Sequence, residues 1–253
     1  MRKLGFLVAL PVVGALVGIT PAMAQPAPNV TAFCDAALTA DKAANKVFAG
    51  GKPKQKEVQA LDAALAQTVS ASPSELTETL QMVIAGVQSA LQSGKDPSED
   101  PAFQRNLNVV DEYRFNSCGY QTADVTTTEY AFEGLPKTFT PGPIAVKLTD
   151  SGAEIHEMAA FRLKTKDSVK KVLGLSEKEQ QKKTENVGAA FVQQGESDFF
   201  ILDFSKPGRY GVACFLPVGS TSQREIEKKS HEHGGGTPHW KKGMFASITV
   251  QAA

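Results

Sequence analysis

Cysteine is scarce in this sequence, and its scarcity limits the fold. Three cysteines among 253 residues are too few for a domain held together mainly by disulfides. Basic and acidic residues balance at 27 each, which argues against a nucleic-acid-binding protein that relies on bulk positive charge. The 21 glycines and 14 prolines show no collagen-like period. With 42% apolar residues, the chain can form one large or two small globular domains.

Familiar catalytic signatures are also missing. The sequence contains neither the H-E-x-x-H motif of zinc proteases nor the G-x-S-x-G nucleophile elbow. Its acidic residues are scattered, and no pair of them stands out for acid–base catalysis. An enzyme is therefore the class that the sequence favours least.

The one long apolar run lies at the N-terminus. Two basic residues precede an apolar stretch over residues 4–19, and an A-x-A cleavage site ends at Ala24. This pattern predicts that residues 1–24 are a secretory signal peptide and that the mature chain begins at Gln25. A retained membrane anchor is the alternative, which the short, interrupted run disfavours. We expect an exported protein without a membrane span, in the periplasm, cell envelope or medium, where disulfides are permitted.

The segment 31–118 has the period of amphipathic helices. Its apolar side chains recur at helical spacing in four stretches, for example Leu76, Leu80, Val83, Val87 and Leu91. A capping box begins at Ser72, a second helix start lies at Asp100, and Gly94 is a stop signal. The pattern predicts a four-helix bundle within a domain of residues 25–121.

Two of the cysteines lie at opposite ends of this helical segment. Cys34 is near the start of the first predicted helix and Cys118 is at the end of the fourth. In an up-down-up-down bundle these ends lie at the same pole, so we expect a disulfide between them. The bond would close a loop of about 84 residues and stabilise the fold by roughly 4–5 kcal/mol. Two free thiols are the alternative.

From residue 124 the apolar period changes from 3.6 to 2. Strand-like segments follow one another, separated by glycine and proline turns; they are 124–132, 143–149, 154–164, 197–204, 208–216 and 244–251. The pattern predicts a β-sandwich over residues 122–253. Two polar segments, 165–196 and 217–238, are expected to be excursions from the sandwich, the first containing a helix that starts at Ser176.

Four residues of this second half have the chemistry of a metal site. They are His156, Cys214, His239 and Met244. Two imidazoles and a thiolate, with a weak axial thioether, form the ligand set of blue-copper electron-transfer sites. We therefore consider these four side chains together as candidate ligands for one copper ion.

The segments around these residues resemble the cupredoxin family of plastocyanin, pseudoazurin and azurin. The resemblance covers about residues 125–251, and three motifs carry it: L-T-D-S-G-A-E-I-H-E at 148–157, P-G-R-Y-G-V-A-C at 207–214 and P-H-W-K-K-G-M at 238–244. The whole chain also resembles exported bacterial proteins that join a disulfide-bearing helical domain to a cupredoxin-like domain.

This resemblance implies a fold, a cofactor and a role. The fold would be a Greek-key β-sandwich, and the cofactor one type 1 copper that transfers single electrons to and from a redox partner protein. His156, Cys214 and His239 would be the equatorial ligands and Met244 the axial one. Trp240 and Phe245 would help to exclude water.

One feature supports the copper site and one departs from the family. If Cys34 pairs with Cys118, Cys214 remains unpaired in an oxidising compartment, and a metal-bound thiolate explains its presence. Family members usually have only a few residues between the cysteine and second histidine, whereas here residues 215–238 intervene. A long loop can return at little extra entropic cost, although it fixes the ligands less tightly.

Alternative functions follow from the same residues. One alternative is a metal-free binding module, and another is a copper carrier that also uses His231 and His233. A lysine-rich stretch from residue 164 to 183 is either a docking site for an acidic partner or a solvated helix face; its lysines are Lys164, Lys166, Lys170, Lys171, Lys178, Lys182 and Lys183.

Overall fold

The computed structural model of the protein describes residues 29–48, 53–95, 97, 100–222, 225–226, 229 and 236–252. The predicted signal peptide, residues 1–24, and the candidate metal ligands His231 and His233 lie outside these described residues. Among the helices of the described chain, none is long and apolar enough to cross a membrane.

The first part of the described chain is helical. Its α-helices are α1 (Val30–Phe48), α2 (Gln55–Ala71), α3 (Thr77–Ser93) and α4 (Pro101–Ser117). Side chains from all of them meet in one apolar cluster, which includes Phe33, Leu61, Leu80 and Phe103. The helices predicted from the apolar period are confirmed, and their arrangement as a four-helix bundle stays a prediction.

Two of the three predicted helix boundaries are confirmed. The Asp100 side chain accepts a hydrogen bond from a backbone N–H of the first turn of α4, and Gly94 ends α3 with a φ of +70°. The capping box at Ser72 does not form as predicted. Its hydroxyl donates instead to the carbonyl of Val69 at 2.9 Å, and a short 3₁₀ turn at Ser74–Leu76 precedes α3.

The predicted disulfide is present. Cys34 and Cys118 are bonded across a sequence separation of 84, with their Cα atoms 5.7 Å apart. The same helical half contains a buried ion network, in which Arg114 donates to Asp111 at 2.7 Å and to Asp41 at 2.6 Å. These bonds tie α4 to α1 both covalently and electrostatically.

The second part of the chain is a sandwich of two β-sheets. The strands are β1 (Gln121–Thr128), β2 (Ala131–Glu133), β3 (Thr138–Phe139), β4 (Pro143–Asp150), β5 (His156–Leu163), β6 (Thr184–Val192), β7 (Ser197–Asp203), β8 (Gly208–Ala213) and β9 (Phe245–Val250). One sheet has the order β2-β1-β4-β7 and the other β3-β9-β8-β5-β6. An apolar core with Val146, Leu148, Met158 and Val212 lies between them, so the predicted two-sheet sandwich is confirmed.

Two segments differ from the sequence prediction. The stretch 165–196 contains not only α5 (Val169–Leu173) and α6 (Glu177–Lys183) but also the strand β6. β6 lies at the edge of its sheet. Its Phe191 points outward and is half exposed, so the alternation of apolar and polar residues along the strand is obscured. The predicted single strand 124–132 is instead the hairpin of β1 and β2.

The helical half packs against the outer surface of the first sheet. The Phe115 ring of α4 meets Phe199 of β7 edge to face at 5.3 Å between centroids. The side-chain carbonyl of Asn108 accepts a hydrogen bond from the Phe199 N–H at 2.8 Å. The β5–β8 side of the sandwich, in the other sheet, is free of these contacts and carries the candidate site.

Candidate metal centre

Three of the predicted ligands meet at one end of the second sheet. His156 is the first residue of β5, Cys214 directly follows β8, and His239 begins a 3₁₀ turn, His239–Lys242. One donor atom from each side chain lies within 4.8 Å of the other two, and all three residues are fully buried. The structure therefore brings the two imidazoles and the thiol together.

Strand pairing explains how His156 and Cys214 meet. β5 and β8 are antiparallel neighbours, with Ala159 opposite Ala213. The start of one strand therefore lies at the end of the other, and both residues reach the same edge of the sheet.

The long segment between Cys214 and His239 leaves and re-enters the fold at neighbouring points. Pro217 and Pro238 form an antiparallel bridge, and the His239 N–H donates to the carbonyl of Leu216 at 2.9 Å. This closure fixes the position of His239 close to the strand that carries Cys214. The extra residues, 217–238, therefore do not separate the candidate ligands.

Met244 lies beside the other candidate ligands. The Cys214 N–H donates to its carbonyl at 3.1 Å, and the Met244 N–H donates to the His239 carbonyl at 3.2 Å. Its side chain is fully buried and belongs to the same apolar cluster as Cys214. Gly243, with a φ of +116°, allows the tight turn that places Met244 there.

Cys214 is held from two sides. Its Sγ lies 3.3 Å from Nδ1 of His239, and it accepts a hydrogen bond from the Glu157 N–H at 3.3 Å. Burial raises the pKa of the Cys214 thiol to about 12. A thiolate at this position therefore needs a cation beside it, which a bound metal would supply.

A carboxylate fixes the orientation of the second imidazole. Nε2 of His239 lies 3.0 Å from Oε2 of Glu154. Burial tends to raise the pKa of Glu154, but hydrogen bonds from the Gly219 N–H, His239 and the Ser220 N–H hold it below its usual value. An ionised Glu154 assigns the proton of His239 to Nε2, so the lone pair of Nδ1 is directed toward Cys214.

The first imidazole has no hydrogen-bond partner among the residues that the structure describes. Both ring nitrogens of His156 are buried and unpaired, and its Nε2 lies 3.8 Å from Asp150 Oδ1 and 3.9 Å from Glu129 Oε1. Burial lowers the pKa of His156, so the ring is neutral, the form that ligates metals. Because an unsatisfied buried polar group is costly, this ring indicates a missing ligand.

The donor set fits copper of the blue-copper type. Two neutral imidazoles and a cysteine sulfur converge in a site closed to water, with a thioether side chain in the same cluster. Soft sulfur ligands favour Cu(I), and imidazoles suit both oxidation states. The residues present thus match the group that the sequence pattern suggested.

Sequence reasoning missed the carboxylates behind the imidazoles. Glu129, Asp150 and Glu154 lie near the Nε2 edges of His156 and His239, as the second sphere of a metal–histidine site commonly does. Asp150 and Glu154 fall within the ten-residue motif around His156, so their closeness in sequence was the available signal. Glu129 lies outside this motif and comes close to His156 only in the folded chain.

The two aromatic residues that were expected to exclude water from the site lie on the outer face of the sheet. Trp240 and Phe245 are partly buried and pack against Val169, Val172 and Leu173 of α5. They therefore lie between the sheet and α5.

A search of solved structures finds blue copper proteins over the C-terminal half of the chain. An auracyanin from the photosynthetic bacterium Roseiflexus castenholzii shares 18% identity over 52% of this chain and 97% of its own, with a TM-score of 0.33. Auracyanin A, a blue copper protein of Chloroflexus aurantiacus, shares 12% identity over 53% of this chain and all of its own, also at 0.33. McoA multicopper oxidase from Aquifex aeolicus shares 15% identity over 53% of this chain and 30% of its own, at 0.30.

Neither a protein-family model nor a curated protein matches the chain. The roles of individual residues rest on the geometry of this chain's own site.

Proposed function

We propose that the protein binds one type 1 copper ion and transfers single electrons. His156, Cys214 and His239 would be its equatorial ligands and Met244 its axial one. The observation that carries this proposal is a buried imidazole without a partner, His156, within 4.8 Å of a buried thiol and a second imidazole. In a core with a purely structural role, we would expect the ring nitrogens of His156 to have hydrogen-bond partners.

The bound copper would supply one-electron chemistry by alternating between Cu(II) and Cu(I). The protein's residues prepare the site for that exchange. Glu154 holds the ring of His239, and the Glu157 N–H holds the sulfur of Cys214. Full burial of the donor side chains excludes water, and the fixed positions keep ligand movement small.

We further propose that the chain is exported by a signal peptide, residues 1–24, and functions with a redox partner protein. The mature chain would consist of a four-helix bundle over 25–121 and a Greek-key cupredoxin-like sandwich over 122–253. Two separate apolar cores support this division. The role would be that of an electron carrier without substrate turnover.

The decisive experiment is a visible absorption titration with Cu(II). We expect an intense thiolate-to-Cu(II) band that saturates at one equivalent. Cys214→Ser should abolish the band, because it removes the only sulfur ligand able to form a thiolate. Met82→Leu is the control, since it removes a methionine sulfur from α3 in the helical half.

Two outcomes would contradict the proposal. A flat spectrum from folded protein with reduced Cys214 would indicate a metal-free binding module. Tight, colourless copper binding that survives Cys214→Ser would indicate a copper carrier with other ligands.

A further inference from the structure

The buried position of the candidate ligands restricts how electrons reach them. His156, Cys214, His239 and Met244 are fully inaccessible to solvent, so a partner protein cannot touch a ligand directly. Electron exchange must pass through residues that join the ligands to the surface. The shortest covalent routes lead from each ligand to its neighbour in the chain.

Two of these neighbours are aromatic and reach the same surface. Phe215 follows Cys214 and is 38% exposed, an unusual exposure for a large apolar side chain in this fold. Trp240 follows His239 and is partly exposed. Both line one groove of about 550 Å³, whose wall also contains apolar residues, such as Leu173 and Pro238, and the polar side chains of Glu177, Gln180 and Lys241.

The other approach to His239 is occupied. The Tyr130 ring packs edge to face on His239 at 4.9 Å between centroids, and its hydroxyl donates to Glu154 at 3.1 Å. Glu154 in turn covers Nε2 of His239. The groove with Phe215 and Trp240 is therefore the more open route to the site.

The elements around this groove are basic. α5, α6 and the 3₁₀ turn of His239–Lys242 together carry seven lysines and two glutamates. Lys171 and Lys183 are paired with Asp167. Within the described part of the chain, Lys178, Lys182 and Lys241 are exposed and have no ion-pair partner, although Lys241 lies over the Trp240 ring.

We propose that this groove is the docking and electron-exchange surface for an acidic redox protein. The inference rests on the proposed copper function and specifies the partner of the same site. Lysines of α6 would steer an acidic rim into place, and the exposed aromatic side chains of the groove, Phe215 and Trp240, would contact an apolar centre of the partner. One electron would leave the reduced copper protein, which becomes oxidised, and reduce the one-electron centre of the partner.

Small oxidants of opposite charge test this surface without the natural partner. The reduced copper-loaded protein is mixed with hexacyanoferrate(III), an anion, or with tris(phenanthroline)cobalt(III), a cation, each of which accepts one electron. The second-order rates are measured for the unchanged protein and for Lys178→Glu/Lys182→Glu. Lys178→Glu and Lys182→Glu are also measured singly, and Lys137→Glu is the control matched in charge to each, because Lys137 lies by the end of β9 remote from Met244.

We expect the double variant to slow oxidation by hexacyanoferrate(III) by roughly tenfold and to accelerate oxidation by the cobalt complex. A shift in reduction potential would move both rates in the same direction, so opposite changes identify a surface effect. Higher salt should reduce the difference between variants. Lys137→Glu should change neither rate appreciably.

The aromatic route has its own test. Trp240→Leu should slow both oxidants if electrons leave through this groove, while the thiolate band shows that the copper site is intact.

Unchanged rates in both groove variants, or equal effects from Lys137→Glu, would overturn the proposed surface while leaving the copper function standing. Absence of the thiolate band in the unchanged protein would refute the proposed function itself.

Discussion

The two halves of the molecule treat their buried polar groups differently. In the helical half, the buried guanidinium of Arg114 binds two carboxylates through its terminal nitrogens and leaves only Nε unpaired, and the two cysteines are joined in a disulfide. In the described part of the β half, neither ring nitrogen of His156 has a hydrogen-bond partner, Asp150 has an unpaired oxygen, and the Cys214 thiol forms no disulfide.

This difference separates structural polar groups from functional ones. A buried group that is paired within the chain stabilises or specifies the fold, and the Arg114 network fits that description. The ring of His156, with both nitrogens buried and unpaired, lacks such pairing, and a ligand from outside the chain would supply it. The contrast therefore supports the proposed metal site in the β half.

The largest expected effect concerns the covalent link of the helical half. Replacing both Cys34 and Cys118 with alanine should lower the free energy of unfolding by about 4–5 kcal/mol, because the lost bond closes a long loop. The helical circular dichroism signal should melt at a lower temperature, while the copper band at 20 °C stays unchanged. Loss of the copper band together with the helical signal would show that the halves do not fold independently. It would contradict the separate roles assigned to the two halves.

A pair of glycines sharpens the contrast between the halves. A Cβ on Gly152 would lie 2.8 Å from Nε2 of His156 and 2.6 Å from Glu129, so Gly152→Ala should displace His156 and weaken copper binding. Overpacking of this kind costs about 1–3 kcal/mol.

Gly86→Ala is the control in the helical half, where a Cβ would lie 2.6 Å from the ring of Phe103. It should alter thermal stability without changing copper affinity. Competition with a copper chelator measures that affinity. An equal loss of copper affinity in Gly152→Ala and Gly86→Ala would contradict a local effect at His156.

A carboxylate variant tests the second sphere of the site. Glu154→Leu should lower copper affinity by roughly 10–100-fold, because His239 loses the group that orients its ring. The reduction potential should also rise, since removal of a negative charge disfavours Cu(II) more than Cu(I).

Glu154→Gln keeps a hydrogen-bond acceptor and should retain most of the affinity, and Glu133→Gln, at an exposed position of β2, should change neither quantity. A potential that falls in Glu154→Leu would contradict this role.

A pH-dependent effect is expected at the contact between the halves. Burial raises the pKa of Asp198 to about 6, above its ordinary value of 3.8. Between these values the folded protein binds a proton that the unfolded chain has released. The free energy of unfolding should therefore fall as pH rises from 4 to 6, by up to about 1.4 kcal/mol per pH unit from this group.

Urea unfolding at pH 4, 5, 6 and 7 measures this slope. Asp198→Asn should remove its contribution, whereas Asp124→Asn, at an exposed position of β1, should leave the slope as it is. An identical slope in Asp198→Asn and the unchanged protein would contradict the raised pKa.

Local patterns in the sequence predicted most of the secondary structure. The apolar residues at helical spacing predicted α3, and Gly94 marked where it ends. Asp100 marked the start of α4. Alternation located β4, β5, β7, β8 and β9 to within three residues at each end. Such signals are local, because they depend on the backbone period and on residues near each end.

The errors arose where long-range pairing decides the structure. Strand β6 is stabilised by β5, which pairs along its whole length, although its own alternation is weak. Ser72 contains the right side chain for a capping box, but the preceding helix α2 uses its hydroxyl. In both cases a neighbouring element determined the outcome.

The sequence by itself determined which donor atoms the site could contain and which segments of the chain carry them. Tertiary structure alone decided that the ends of residues 217–238 meet at Pro217 and Pro238, so that His239 reaches Cys214. It also decided that Glu154 assigns the proton of His239 and that the surroundings of His156 leave its ring unpaired. The physical reason is distance: donor type is a property of each residue, whereas coordination depends on ångström-scale positions that only the packed sheets fix.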